Sequence, residues 1–201
     1  VGWWINMKTI VVATNNQHKV DELAPLFPSV RLLSLKDIGY VKPILENGRT
    51  FEENALLKAR QVAKDLGYSV LADDSGLEVE ALQNAPGIYS ARYAQKGDDR
   101  SNNALLIENL KGIANRKARF VCVLCICQPD GKHRFFKGIC EGEIIDEARG
   151  SNGFGYDPHF YIPQLGKTFA EMTLEEKNTL SHRKKAYQKM KEQCNEDLSF
   201  K

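Results

Sequence analysis

No apolar run in the sequence reaches the roughly 18 residues that a membrane-spanning helix needs. The longest, Phe120–Cys127, has the length of a strand. Neither sign of charge dominates: 28 Lys and Arg stand against 26 Asp and Glu, a formal net charge of +2. That balance gives no general attraction to nucleic acid or acidic membranes, so neither is expected as a partner. Repeats, low-complexity segments and Pro- or Ser-rich linkers are absent. With 42% hydrophobic and 27% charged residues, the composition is that of an ordinary globular chain. Val1–Asn6 lacks the basic and apolar regions of a signal peptide. Met7-Lys8-Thr9 reads as a natural start, which leaves residues 1–6 as an N-terminal extension or expression remnant and 7–201 as a single domain.

Cysteine is scarce and odd in number, at five, without the spacing of a secreted disulfide framework. Cys122, Cys125 and Cys127 suggest a metal site, but Phe120-Val-Cys-Val-Leu-Cys-Ile-Cys reads as a strand. Alternation then points Cys122 away from the other two. Buried, reduced thiols in a cytoplasmic protein are the expectation.

What is present is a regular alternation of elements. Lys8–Ala13 reads as a buried strand feeding a turn, Gln17–Leu26 as a helix and Val30–Leu33 as a second strand. Residues 40–49 read as a loop. Thr50-Phe-Glu-Glu53 is a capping box for a helix that stops at Gly67. Ser69–Ala72 reads as a strand ending at Asp73, with another short strand over Leu77–Leu82. Asp98 or Asp99 caps a helix through Leu110. Pro129-Asp-Gly131 joins Arg119–Cys127 and Arg134–Ile144 in a hairpin. Thr173-Leu-Glu-Glu176 is a second capping box, and Ser181 caps a last helix. Helices and strands alternate early and a hairpin follows, which implies an α/β or α+β chain with mixed strand pairing.

Four clusters carry chemistry. Thr14-Asn-Asn-Gln-His-Lys19 joins a strand to a helix, where free backbone N–H groups and the helix dipole suit phosphate. It lacks the glycine spacing of a Walker A loop. Asp73-Asp74-Ser75-Gly76 places two carboxylates at an expected strand end, and Glu46 in the preceding loop offers further oxygens for a Mg²⁺ ion. In Ser151-Asn-Gly-Phe-Gly-Tyr-Asp-Pro158, Phe154 lies between glycines and offers a face for stacking a base. Ser181-His182-Arg183 sets a cation at a helix N-terminus, against the dipole, which calls for a specific partner.

Together the clusters resemble the Ham1/inosine triphosphatase family, the house-cleaning nucleoside-triphosphate pyrophosphatases. The likeness runs from Met7 to about Lys191. It rests on Thr14-x-Asn16-x-x-Lys19, Ala72-Asp-Asp-Ser-Gly-Leu-Glu-Val79, Ala85-Pro-Gly-Ile-Tyr-Ser-Ala-Arg92, Gly153-Phe-Gly-Tyr-Asp-Pro158 and Ser181-His-Arg183. The family usually has glycine where this chain has Asn15, a residue that tolerates the left-handed region. The resemblance implies a long mixed β-sheet with flanking helices, in two lobes around a central cleft, and a homodimer. It implies hydrolysis of ITP, dITP or XTP to monophosphate and pyrophosphate with Mg²⁺. Thr14, Asn15, Asn16, Gln17, His18 and Lys19 would take phosphates, Gln17 and His18 through their backbone, with Lys58 as a further phosphate ligand. Glu46 and Asp74 would hold metal, with Asp74 as general base and Ser75 on the substrate. Phe154, Gly155, Tyr156, Asp157 and Lys177 would hold the nucleoside, while His182 and Arg183 would read the base.

The chemistry of these residue types agrees. Attack at phosphorus needs water, a base and neutralisation of the leaving pyrophosphate. Donors such as His182 and Arg183 match the 6-oxo group of hypoxanthine or xanthine and would face the 6-amino donor of adenine. Two other readings stay open on sequence: a pyrophosphatase for modified pyrimidine or dinucleotide-type substrates, and a non-catalytic nucleotide sensor. The adjacent Asp73 and Asp74 argue against the sensor.

Overall fold

The computed structural model describes residues 8–194, so the expected extension at 1–6 lies outside the described residues. In chain order the elements are β1 (Lys8–Val11), α1 (Gln17–Leu23), β2 (Val30–Leu33), α2 (Phe51–Leu66), β3 (Val70–Val79) and α3 (Asp99–Asn109). Then come β4 (Lys117–Cys127), β5 (His133–Ile144), β6 (Phe160–Ile162), β7 (Lys167–Thr168), α4 (Leu174–Leu180) and α5 (His182–Gln193). Strands β3-β4-β5-β6-β7 form an antiparallel sheet in that order. Strands β1 and β2 pair in parallel. A parallel bridge between Val12 and Leu71 joins the two pieces along the β1/β3 edge, giving the expected mixed α/β architecture.

The sequence pattern explains which faces are covered. Strand β4 is buried on both sides, and its alternation sends Cys125 and Cys127 to one core and Cys122 and Leu124 to the other. Helix α2 covers the first face through Ala55, Ala59, Val62 and Ala63. Helices α1 and α5 cover the second through Val20, Leu23, Ala186 and Met190. A third core, around Leu77, Phe120, Phe160 and Phe169, fills the far half of the sheet beneath α3. All five cysteines are buried thiols.

Local signals set most element ends. Thr50 caps α2, accepting from Glu53 N–H at 3.1 Å, and Gly67 ends it in the left-handed region at φ 74°. The reciprocal half of that expected capping box is absent: Glu53 Oε2 accepts from Arg49 N–H at 2.6 Å instead. The box at Thr173 and Glu176 is complete. Helix α1 is shorter than expected, because Pro25 turns its end into a 3-10 turn over Ala24–Leu26.

The main departure from expectation is β3. Asp73-Asp74-Ser75-Gly76 is expected at a strand end, with one strand before it and another short strand after. In the structure one strand runs through it unbroken, paired with β4 from Val70 opposite Cys127 to Val79 opposite Ala118. The expected strand over Leu77–Leu82 is thus the end of β3 followed by a 3-10 turn at Glu80–Leu82. Gly76 contributes close approach rather than a turn: a Cβ there would stand 2.4 Å from the carbonyl oxygen of Gly87.

Candidate active site

Because successive side chains alternate, β3 sends Asp73 toward α1 and α5 and Asp74 toward α2. Asp73 is fully buried and richly bonded. Its Oδ2 accepts from Arg183 Nε at 2.7 Å and Cys122 Sγ at 3.3 Å, and its Oδ1 accepts from Ser75 Oγ at 2.9 Å. Lys19 Nζ lies 2.9 Å from the same Oδ1. Burial alone would raise the Asp73 pKa, but Arg183 and Lys19 outweigh it and hold the carboxyl well below its usual range.

Asp74 is bonded on one side only. Its Oδ1 accepts from Lys58 Nζ at 2.8 Å, while its buried Oδ2 has no partner among the described residues. Lys58, brought there by α2, also donates to Glu46 Oε2 at 3.0 Å. Burial raises the Asp74 pKa despite the nearby ammonium, because no donor replaces the lost hydration of Oδ2. Glu46 moves the other way: its burial penalty is outweighed by Lys58, which lowers its pKa.

A second charge cluster underlies the cleft. Glu22 Oε1 accepts from Lys177 Nζ at 2.6 Å, and Arg183 Nη1 donates to Glu22 Oε2. Lys177 also donates to Asp157 Oδ2 at 2.5 Å, and that oxygen accepts from Phe154 N–H at 3.1 Å. Burial pushes Glu22 up, but Arg183 and Lys177 together hold it below its usual value. At Asp157 burial wins, since it shares one ammonium with Glu22, and its pKa is raised. Above this floor lies a cleft of about 380 Å³, whose lining includes His18, Glu22, Phe154, Phe169, Met172 and Lys177.

Residues 10–193 match a family model described as the Ham1 family. The chain belongs to the Ham1 family. The dITP/XTP pyrophosphatase of Desulfotalea psychrophila is 48% identical over 185 residues, covering 90% of this chain and 83% of that protein. That of Staphylococcus aureus strain MW2 is 46% identical over 181 residues, covering 90% and 93%. Among solved structures, the Staphylococcus aureus Ham1 protein superposes with a TM-score of 0.84 at 44% identity, over 94% of this chain and 98% of that one. A HAM1 protein from Coxiella burnetii gives 0.85 at 39% identity, over 94% and 100%.

In this Ham1 chain the expected phosphate loop lies at the start of α1. Asn16 Oδ1 caps the helix by accepting from His18 N–H at 3.1 Å, Asn16 N–H donates to Thr14 Oγ1 at 3.0 Å, and Lys19 turns back over β3. Asn15 and Gln17 are exposed at the same turn. Tyr156 is not an open contact, because its hydroxyl donates to Ser90 C=O at 2.7 Å inside the protein. Ser75 faces Asp73 and Arg183.

His182 and Arg183 depart most from the expectation that they meet the base. Neither lines the cleft. Arg183 is 1% exposed, with its guanidinium engaged by Asp73, Glu22 and Ser75 Oγ. These carboxylates are the partners that a cation at this helix start requires. The His182 ring stacks at 4.8 Å on Phe120, and its buried Nδ1 has no partner among the described residues. Burial, with Arg183 and Lys177 nearby, lowers its pKa well below the usual value and keeps it neutral.

Two groups escaped the sequence reading. One is Glu22, whose signal was its position three residues after Lys19, on the same side of a short helix. The other is the pair Asp99 and Asn103, which hold the Gly155 peptide. For a metal, Glu46 and Asp74 offer hard oxygens, and the orphaned Asp74 Oδ2 fits a cation. No group of three or more His, Cys, Asp or Glu among the described residues could hold one alone. Phosphate and water would complete the shell, as Mg²⁺ prefers.

Proposed function

We propose that this chain hydrolyses non-standard purine nucleoside triphosphates, ITP, dITP and XTP, to the monophosphate and pyrophosphate. The observation that carries the reading is Asp74: a buried carboxylate, half-satisfied, set between Glu46, Lys58 and the Lys19 end of α1. An acceptor with a free lone pair and a raised pKa suits proton removal from an attacking water. Lys19 and the first amides of α1 stabilise phosphate charge, with Thr14, Asn15, Asn16, Gln17 and His18 shaping the turn. Lys58 changes partner from Asp74 to phosphate when the substrate's negative charge arrives.

Glu46 and Asp74 hold Mg²⁺ in this reading. The ion supplies charge neutralisation and makes water easier to deprotonate. The Phe154 ring offers the stacking face for the base, on a loop anchored through Gly155, Tyr156 and Asp157, with Lys177 beneath. Arg183 fixes Asp73, Ser75 and Glu22 in place, and His182, packed on Phe120 outside the cleft, supports the same wall. A homodimer, from the family resemblance, a cytoplasmic location, from the reduced thiols, and a single domain over 7–201, from the chain length, belong to the same reading. No helix among the described residues is long and apolar enough to cross a membrane. The test is pyrophosphate release from dITP and dATP with and without Mg²⁺. Release from dITP alone, dependent on Mg²⁺, is expected; equal release from dATP, or none from dITP, would overturn the reading.

A further inference from the structure

Phe154 is the fixed plate of the cleft. Its own N–H donates to Asp157, and both backbone groups of the next residue are held. Gly155 N–H donates to Asp99 Oδ2 at 2.7 Å, and Gly155 C=O accepts from Asn103 Nδ2 at 2.8 Å. Both partners lie in the first turns of α3, so a helix holds the loop. From the opposite wall, the His18 ring stacks on Phe154 with centroids 5.1 Å apart and planes 12° from parallel.

His18 is the plate whose ring is less anchored. Its side chain is exposed, in the first turn of α1. Its backbone N–H is held by Asn16, but among the described residues its ring makes no hydrogen bond. Adjacent stacked rings take centroid separations of about 4.5–7 Å, so a third ring between His18 and Phe154 would need roughly twice the observed gap. A base can reach that face of Phe154 only when His18 leaves it.

We propose that the His18 imidazole is a built-in competitor for the nucleotide base, covering the stacking face of Phe154 in the empty cleft and swinging away on binding. The inference rests on reading Phe154 as the surface on which the base stacks. Apparent affinity falls by the fraction of molecules whose stacking face is open. A single aromatic contact corresponds to roughly a 2- to 10-fold change in an equilibrium constant. The cost is the same for every base, so His18 sets how tightly bases bind and not which base is preferred. Rotamer exchange of an exposed side chain is fast enough that turnover is not gated by it.

The test is calorimetric titration of inosine monophosphate into wild type, His18→Ala and His18→Phe, with inorganic pyrophosphate as a probe that has no base. Removing the competitor should tighten inosine monophosphate binding roughly 2- to 10-fold, and a stronger aromatic cover in His18→Phe should weaken it. Pyrophosphate should bind all three alike. Weaker binding of inosine monophosphate by His18→Ala would show that the base is sandwiched by both rings, and would overturn the proposal. An unchanged affinity, or a shift shared by pyrophosphate, would overturn it too. A wild type that neither binds inosine monophosphate nor releases pyrophosphate from dITP would overturn both this inference and the proposed function. If dITP is turned over normally and only the His18 effect is missing, the inference alone fails. In the empty protein, Phe154→Leu should move the His18 ring proton resonances, and resonances that stay in place would remove the stack.

Discussion

The two faces of β3 treat neighbouring carboxylates differently. On the α1/α5 face, Asp73 joins a network in which both oxygens are bonded, Lys19 pairs with it, and Arg183 is shared with Ser75 and Glu22. On the α2 face, Asp74 has one ammonium, which it divides with Glu46, and one oxygen with nothing. Burial is nearly the same for the two, yet their pKa values move in opposite directions. The difference shows how one strand carries a fully bonded carboxylate and a half-satisfied one side by side. A satisfied buried network fixes geometry, and an unsatisfied group keeps its capacity to take a proton or a cation.

The largest effect should follow from breaking the satisfied face. Arg183→Met leaves Asp73 and Glu22 buried without their main cation, and about 3–5 kcal/mol of stability should be lost in denaturant titration. Adding Asp73→Asn and Glu22→Gln should recover part of that loss. A variant as stable as wild type would show that the network is not holding the fold.

On the other face the cost should appear in rate. Asp74→Asn should lower kcat by about 10²-fold or more while the thermal midpoint is retained. Half the activity surviving would remove Asp74 from proton transfer. Lys58→Gln should separate metal binding from catalysis. Without an ammonium between Glu46 and Asp74, Mn²⁺ should bind the nucleotide-free protein more tightly by paramagnetic resonance titration, while pyrophosphate binds more weakly. Metal binding no tighter than wild type would break the contrast between the faces.

Acid sharpens the comparison more gently. The folded pKa of Glu22 lies below its ordinary 4.5, so its contribution to stability is in place above that pH and is lost as pH falls through the folded value. Glu22→Gln should therefore flatten the loss of stability below pH 4.5 in acid titrations followed by circular dichroism. An equally steep loss would assign acid sensitivity elsewhere. The smallest effect should come from Thr50→Ala, which removes the α2 cap but no hydrogen bond to either carboxylate and should cost about 1 kcal/mol. The midpoint should shift and dITP turnover should not; a fall in kcat would show that α2 positions Lys58 through its first turn.

Much of this was legible because its causes are local. Caps at Thr50, Thr173 and Ser181, the turn at Pro129–Gly131 and the alternation across Cys122–Cys127 depend on residues within a few positions of one another. Continuity of β3 was not legible, since Asp-Asp-Ser-Gly favours a turn until a ladder to β4 and buried cations override it. The partners of Glu22 lie 155 and 161 residues along the chain, beyond any spacing rule. The Arg183 position announced that a partner was needed but not that Asp73 and Glu22 supply it. The placing of Phe154 between glycines suggested an open ring face, whereas the occupancy of that face by His18 depends on contacts across the cleft.

Residues Asp74 and Glu46 also sit in segments of unequal endurance. The Asp74 amide belongs to a ten-residue strand paired throughout with its neighbour, in the part of the molecule whose amide hydrogens should exchange only through global opening. Glu46 sits in a stretch without regular structure, flanked by Leu45 at 74% exposure, where exchange needs only a local fluctuation. In the proposed metal-binding role the two carboxylates would be a fixed jaw and a hinged one: the loop would open and close on an ion many times during the lifetime of a folded molecule, while the strand opposite kept its place.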